Sequence, residues 1–463
     1  MFKIGHSHVL AAFGAFIVLA PQAEPQSASS SVPRRLTLPL AENLLIARNL
    51  SVLAARYQIE VNRAARLIAS YKPNPVLTAG AEQIPFYSPL PGSFPRFYKT
   101  NPDAGANPVY TLRIDNIWER GGKRELRTAV ADEQLQASEA QMLDAVRTQI
   151  FQLRRAFTAA TLARENLKLA ETSEQQYAQT QTLTQAKVDQ GDIPRVEIYR
   201  AGAGRLQYQQ AVLQARTAYD GAVRDVLNLL GAREQDIQGG IAQAADLQPV
   251  TLRTGERQIP DSLLNAALEI INDFDDRPIP QSLSELRSMA LSLRPDVAAA
   301  RHLLASTDNA MQLAQAQRTR DVDIGYEYQR VGNDHSAGVV LQVPLFLHND
   351  QGALYTQAEA QKRAAEAQLK QAELQAITDV EKAYQSYLSA RRVLDLYGAE
   401  NLSQLERLRT VANVSYREGA SSLFELLDAQ RAYSAAMTAY YQARSDYQLN
   451  LWELEQATGG ALR

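Results

Sequence analysis

Two hydrophobic periods alternate along this chain. Over residues 123–189, Leu143, Val146, Ile150, Leu153, Phe157, Ala160, Arg164 and Leu167 follow a three-four spacing that no proline interrupts. Over 423–456 the same spacing links Leu426, Ala429, Tyr433, Ala436, Tyr440, Ala443 and Tyr447. This spacing gathers side chains on one side of a helix, and a seven-residue period drives left-handed supercoiling against partner helices. Elsewhere the period is two. Asp321-Val322-Asp323-Ile324-Gly325-Tyr326-Glu327-Tyr328-Gln329 alternates polar with apolar, and Tyr110, Leu112 and Ile114 alternate with Thr111, Arg113 and Asp115. Ala337, Val339, Leu341 and Val343 alternate with Gly338, Val340 and Gln342. Those segments read as strands.

With proline and glycine as punctuation, the pattern predicts helices over 40–71, 123–189, 195–230, 295–318, 351–417 and 423–456. It predicts strands over 76–82, 109–117, 321–329 and 336–343. Lys72-Pro73-Asn74-Pro75 ends the first helix, while Gly191-Asp192-Ile193-Pro194 and Gly419 break the long pairs. Gly332-Asn333-Asp334-His335 turns between the last two strands, and 85–108, rich in Pro, Gly and aromatics, reads as a long loop. A helix running from 123 to 189 spans roughly 100 Å at 1.5 Å per residue, far beyond any globular core. Coiled-coil or cylinder helices are implied.

This order is written twice. Residues 188–231 and 416–459 align without a gap, matching Gly191 to Gly419, Glu197 to Glu425 and Ala201 to Ala429. Gln214-Ala215-Arg216-x-x-Tyr219 falls on Gln442-Ala443-Arg444-x-x-Tyr447, and Gly231 on Gly459. A period this long exceeds any solenoid unit and points to a duplicated half-molecule. The expected repeats are 36–231 and 291–459, with 232–290 an interruption beside the helical body.

One apolar and one charged face over roughly nine residues mark a transmembrane barrel strand. A half-buried soluble sheet alternates the same way, but such strands placed twice between very long helices favour the barrel. Four strands cannot close one, and open edges are not tolerated in lipid. Several copies must then share a single barrel.

Composition adds the address. The 463 residues are 45% hydrophobic and 21% charged, with 48 basic and 51 acidic side chains and a net charge of −3. No basic patch suggests nucleic acid. Lys3 followed by the apolar run 9–20 reads as a signal peptide over 1–28, with Ala20, Ala23 and Ala28 as cleavage points. No other segment is long and apolar enough for a membrane helix. Cysteine is absent, which excludes disulfides, thiolate metal sites and a lipid-modified N-terminal cysteine.

On these residues the chain resembles the TolC-like outer-membrane efflux proteins over about 36–459. Ile117-Trp118-Glu119-Arg120-Gly121-Gly122-Lys123-Arg124 is similar to the strand-to-helix junction of the heavy-metal-efflux, CzcC-like branch. Val343-Pro344-Leu345-Phe346 with Asn349-Asp350-Gln351-Gly352 is similar to its counterpart in the second repeat. Tyr416-x-x-Gly419 followed by Leu426-Leu427-Asp428-Ala429-Gln430 is similar to the periplasmic-tip motif. The resemblance implies a mainly α fold with a small β part. Duplicated hairpins would build an α-helical barrel, and each protomer would give four strands to a trimeric twelve-stranded β-barrel. It implies an exit duct in the outer membrane of a Gram-negative bacterium, with a large periplasmic portion. A periplasmic adaptor and an inner-membrane resistance-nodulation-division pump would be its partners, and metal cations are its expected cargo.

No catalytic, cofactor or metal set appears. His6 and His8 fall in the leader, and His302, His335 and His348 lack ligand spacing. Gly121-Gly122-Lys123 is too short for a phosphate loop and suits a tight strand-to-helix turn, as does Gly352 in the second repeat. Glu425 and Asp428, three apart, share a helix face. By position they match the family's acidic constriction, and rings of them would narrow a duct and favour cations. Ordinary solvated helix acids would look the same. In the first repeat Glu197 persists but Arg200 replaces the second acid. Gly191, Gly419 and Tyr416 are the expected adaptor contacts at the tips. Two other readings compete: a periplasmic adaptor, which normally has one hairpin followed by β-rich domains, and a purely structural coiled coil. Neither needs two hairpins, alternating strands and a leader together.

Overall fold

The computed structural model describes residues 32–83, 108–232, 237, 268–348 and 351–462. The leader and the loop expected over 85–108, apart from Pro108, lie outside them. Each half of the chain opens on a short strand and a stacked helix pair. In the first half these are β1 (Arg35–Thr37), α1 (Leu38–Arg48) and α2 (Leu50–Ser70). In the second they are β4 (Glu269–Ile271), α5 (Leu283–Leu293) and α6 (Pro295–Ala316). An antiparallel strand pair follows in each: β2 (Val76–Glu82) with β3 (Val109–Trp118), and β5 (Val322–Val331) with β6 (Asp334–Gln342). Long helices complete both halves, α3 (Lys123–Asp189) and α4 (Val196–Leu229), then α7 (Gly352–Asp395), α8 (Ala399–Arg417) and α9 (Leu423–Thr458).

Four expectations change. The helix expected over 40–71 is two, because Asn49 leaves the helical region at ψ 126° and caps α2, its Oδ1 accepting from the Ser51 and Val52 amides. The helix expected over 351–417 is also two, parted at Leu396-Tyr397-Gly398, with Gly398 extended at ψ 159°. In addition, α5 occupies part of the expected interruption. Ser282 and Glu285 form a reciprocal capping box at its start. The turn between β5 and β6 is tighter than expected: Gly332 takes φ 61°, and Asp334 and His335 already belong to β6.

The duplication extends to the joints. Asn49 and Arg294 occupy the same kink, one bent by its own capping side chain, the other held extended ahead of Pro295. Each donates a side-chain hydrogen bond to the end of its repeat's last helix: Asn49 Nδ2 to the Leu229 carbonyl at 2.9 Å, Arg294 Nη1 to that of Ala457 at 3.3 Å. The equivalent glycines Gly231 (φ 61°) and Gly459 (φ 78°) end those helices against the kinks. A Cβ on Gly459 would sit 3.0 Å from the Arg294 backbone. Gly459→Ala is therefore expected to destabilise by about 2 kcal/mol, from the left-handed strain and the close approach. Thermal unfolding in detergent measures this, and an unshifted midpoint would mean that the joint yields freely.

Two cores flank these joints. One gathers Leu36, Leu45, Leu153, Phe157, Val226, Leu230 and Ile270, the other Leu286, Val380, Tyr387, Tyr447, Leu451 and Leu454. Segment 268–281 wraps between the helices, and the duplicated tyrosines hold its backbone. Tyr219 Oη accepts from the Ile270 amide at 3.3 Å, and Tyr447 Oη donates to the Arg277 carbonyl at 2.7 Å. Within that segment, β4 pairs in parallel with β1, joining the starts of the two halves.

Candidate functional site

The four-stranded sheet lies in the order β2-β3-β5-β6, wholly antiparallel, so the pairs from the two halves meet at β3 and β5. Register aligns the faces. Leu77, Ile114, Tyr326 and Val339 make one cross-strand row, and Ala79, Leu112, Tyr328 and Ala337 the next. Leu77, Leu112, Ile114, Tyr326, Tyr328 and Val339 are all exposed. On the opposite face Thr111, Arg113, Asp115, Glu327 and Gln329 are only half-exposed, and Gly325 is buried. Soluble sheets bury apolar side chains and expose charged ones. This sheet does the reverse, and barrel strands in lipid do the same. Its outer strands β2 and β6 have no further partner among the described residues.

A rigid junction ties the sheet to the helices. Gly121 and Gly122 both take left-handed φ (78° and 67°), letting the chain turn from β3 into α3. Lys123 is buried there, its Nζ donating to the Thr319 carbonyl at 2.7 Å and pairing with Asp321 at 2.8 Å. Asp321 also accepts from the Arg120 amide at 2.8 Å. Lysine 123 thus pins the first junction to the second, a role only the fold could reveal. In the second repeat the left-handed residue is Gln351 (φ 64°), not Gly352, which begins α7. The expected use of Gly352 is corrected to that extent.

At the far end of the helices two tips lie side by side. Gly191 (φ 83°) and Gly419 (φ 78°) close the α3–α4 and α8–α9 hairpins with left-handed turns. Tyr416 does not present its ring at the surface. It is 2% exposed, its Oη lies 2.8 Å from Thr184 Oγ1, and its carbonyl accepts from Lys187 Nζ at 2.8 Å. It packs with Tyr177, Ala201, Leu423, Leu426 and Leu427, tying the tips together instead of offering a contact. Between the tips a cavity of about 600 Å³ is lined by Lys187, Glu197, Gly419 and Ser421 among others. Tyr177 fits only because Gly204 lacks a side chain, since a Cβ there would meet the phenol.

The matched tip acids have different jobs. Glu197 pairs with Arg200 at 2.7 Å, which offsets its charge. Glu425 and Asp428 are both exposed on α9. Glu425 also completes a capping box, accepting from the Ser422 amide at 3.1 Å while its own amide donates to Ser422 Oγ at 3.2 Å. Its first-repeat counterpart has Pro194 where Ser422 stands, so no box forms there. The signature Ser-x-x-Glu was visible in the sequence. Among the described residues no group of three or more His, Asp or Glu could hold a metal ion. His302 bonds Glu133 at 2.8 Å and His335 bonds the Tyr328 hydroxyl. No described helix is long and apolar enough to cross a membrane.

Comparison with known proteins fits this geometry. Residues 286–460 match the model of the family described as outer membrane efflux protein. The alkaline protease secretion protein AprF of Pseudomonas aeruginosa is 25% identical over 319 residues, 66% of this chain and 60% of AprF. The pyoverdine export outer membrane protein OpmQ of the same organism is 27% identical over 180 residues, 37% of this chain and 38% of OpmQ. The chain thus spans less than two thirds of the curated relatives it matches. The open-state crystal structure of the MtrE outer membrane channel of Neisseria gonorrhoeae superposes with a TM-score of 0.67 at 18% identity, covering 94% of this chain and 90% of that one. Residues 286–460 are thus similar to the outer membrane efflux protein family, and the described body as a whole shares the fold of the MtrE channel.

Proposed function

We propose that this chain is the exit duct of a tripartite efflux system, seated in the outer membrane and reaching far into the periplasm. One observation carries the reading: a sheet with its apolar face outward and charged face inward, fused to long helices of which α3 alone spans roughly 100 Å. Strands β2 and β6 are open edges, which lipid does not tolerate, so β6 of one protomer pairs with β2 of the next. Three protomers close a twelve-stranded barrel. No catalytic step is involved. Transport is passive and driven by an inner-membrane pump of the resistance-nodulation-division type, through a periplasmic adaptor that meets the tips at Gly191 and Gly419.

Metal cations are the proposed cargo, on the likeness of the 117–124 junction to the heavy-metal-efflux branch. AprF and OpmQ, by their names, serve protease secretion and pyoverdine export, and these are the competing cargo classes. Deleting the gene and scoring growth on zinc or cobalt against protease and siderophore release separates them. The duct itself is tested by the mass of the detergent-extracted protein and its conductance in planar bilayers. Trimers with discrete openings are expected. A monomer that needs no detergent and conducts nothing would reject the barrel.

A further inference from the structure

The charged face of the sheet holds an arrangement that the duct reading does not by itself require. Arg113 and Asp115 lie two apart on β3, on the same face, and pair at 2.7 Å between Nε and Oδ1. Their side chains are only 25% and 16% exposed. They lie flat because Gly325, opposite Asp115 on β5, leaves a niche for them. A Cβ at Gly325 would stand 2.9 Å from Arg113 Nε and closer still to Asp115 Oδ1. Opposite Arg113 itself stands Glu327, which has no ion-pair partner among the described residues. Its neighbour across the next strand, Gly338, has open space where a side chain would be. Farther along the same face of β5, Asp323 adds another carboxylate, with Oδ1 buried and unpartnered.

We propose that Glu327 is a selectivity-determining charge of the barrel lumen, a second cation filter set apart from the tips by the length of α3. The inference rests on the barrel reading above. Gly325 parks Arg113 against the wall, where Asp115 neutralises it, so the guanidinium neither blocks the path nor cancels Glu327. The row through Arg113 and Glu327, with Asp115 alongside, then bears one net negative charge per protomer. A ring of three such charges enriches cations in the lumen. Each acts across a wide, water-filled space, so the enrichment is moderate and screened by salt.

Bilayer recordings at about 0.1 M salt test this with two variants that act in opposite directions. Glu327→Gln removes the charge with little change of shape and is expected to lower the cation-to-anion permeability ratio roughly two- to threefold. Gly338→Glu adds a carboxylate in open space beside it and is expected to raise the ratio by a similar factor. Conducting channels with the wild-type ratio in either variant would overturn the assignment of Glu327. Failure of the barrel reading looks different, because the wild-type protein would then form no channels at all.

Discussion

Replacing Arg294 with methionine is expected to destabilise the protein by about 3 kcal/mol at neutral pH, near the lower end for breaking a buried ion pair. Arg294 is 5% exposed. Its Nε and Nη2 grip both oxygens of Asp296 at 3.0 and 2.7 Å, while Nη1 reaches Asp379 at 2.9 Å and the Ala457 carbonyl at 3.3 Å. One guanidinium thus joins the start of α6, the middle of α7 and the end of α9. Methionine fills much of the volume but leaves Asp379 without its cation and Asp296 with only Arg147, 4.0 Å away. The effect should depend on pH. Burial alone would push the Asp296 carboxyl up, but the Arg294 hydrogen bonds and charge outweigh it and hold the group below its ordinary value. A depressed carboxylate stabilises the fold above its unfolded value, about 3.9, and stops doing so as pH falls through the folded one. The gap between wild type and variant should therefore be full at pH 7 and shrink below about pH 4. Thermal unfolding from pH 7 downward measures it, and a gap that does not shrink at all below about pH 4 would assign the loss to packing.

What could be read from the residues alone follows from how local each cause is. The helix 123–189 and the strands at 76–82 and 109–117 were legible because period and punctuation agree over many residues. The kinks were not. Asn49 stands inside an apolar run, Leu44 to Leu53, and only its bond to Leu229 shows that it caps a joint. Gly398 is one glycine in a helical pattern, which costs only about 1 kcal/mol and breaks a helix only when packing favours it. Helix α5 did announce itself through Ser282-x-x-Glu285, but Pro278, Pro280 and Pro295 around it made the stretch read as irregular. The same signature at Ser422-x-x-Glu425 gives Glu425 a structural task beside its expected place in a pore ring. Lys123 and Tyr416 lay beyond reach for another reason. Their partners, Asp321 and Thr184, are about 200 residues distant in sequence, and single-sequence periodicity carries no such pairing.

The tip acids give the second large effect, and the capping box decides how to measure it. Substituting both Glu425 and Asp428 by alanine would mix three changes: lost charge, a wider passage and the loss of the Glu425 half of the capping box, with Ser422 Oγ still accepting from the backbone. Asp428→Asn with Glu425→Gln isolates the charge, because glutamine can still reach back to the Ser422 amide as Glu425 does. Both acids are exposed on one face of α9. In a trimer this removes two stacked negative rings at the narrowest proposed point. The cation preference of single channels should fall by roughly fivefold at low salt, more than for the wider barrel. At high salt, where the charges are screened, conductance should change little, since neither substitution alters side-chain length. Asp428→Ala should then raise conductance, because it shortens the side chain that narrows the duct. The two acids would be ordinary solvated helix residues if the paired amide variant kept wild-type selectivity. If selectivity fell but Asp428→Ala left conductance unchanged, the acids would select ions at the tip without forming its narrowest ring, and the constriction would belong to neighbouring exposed residues such as Phe424.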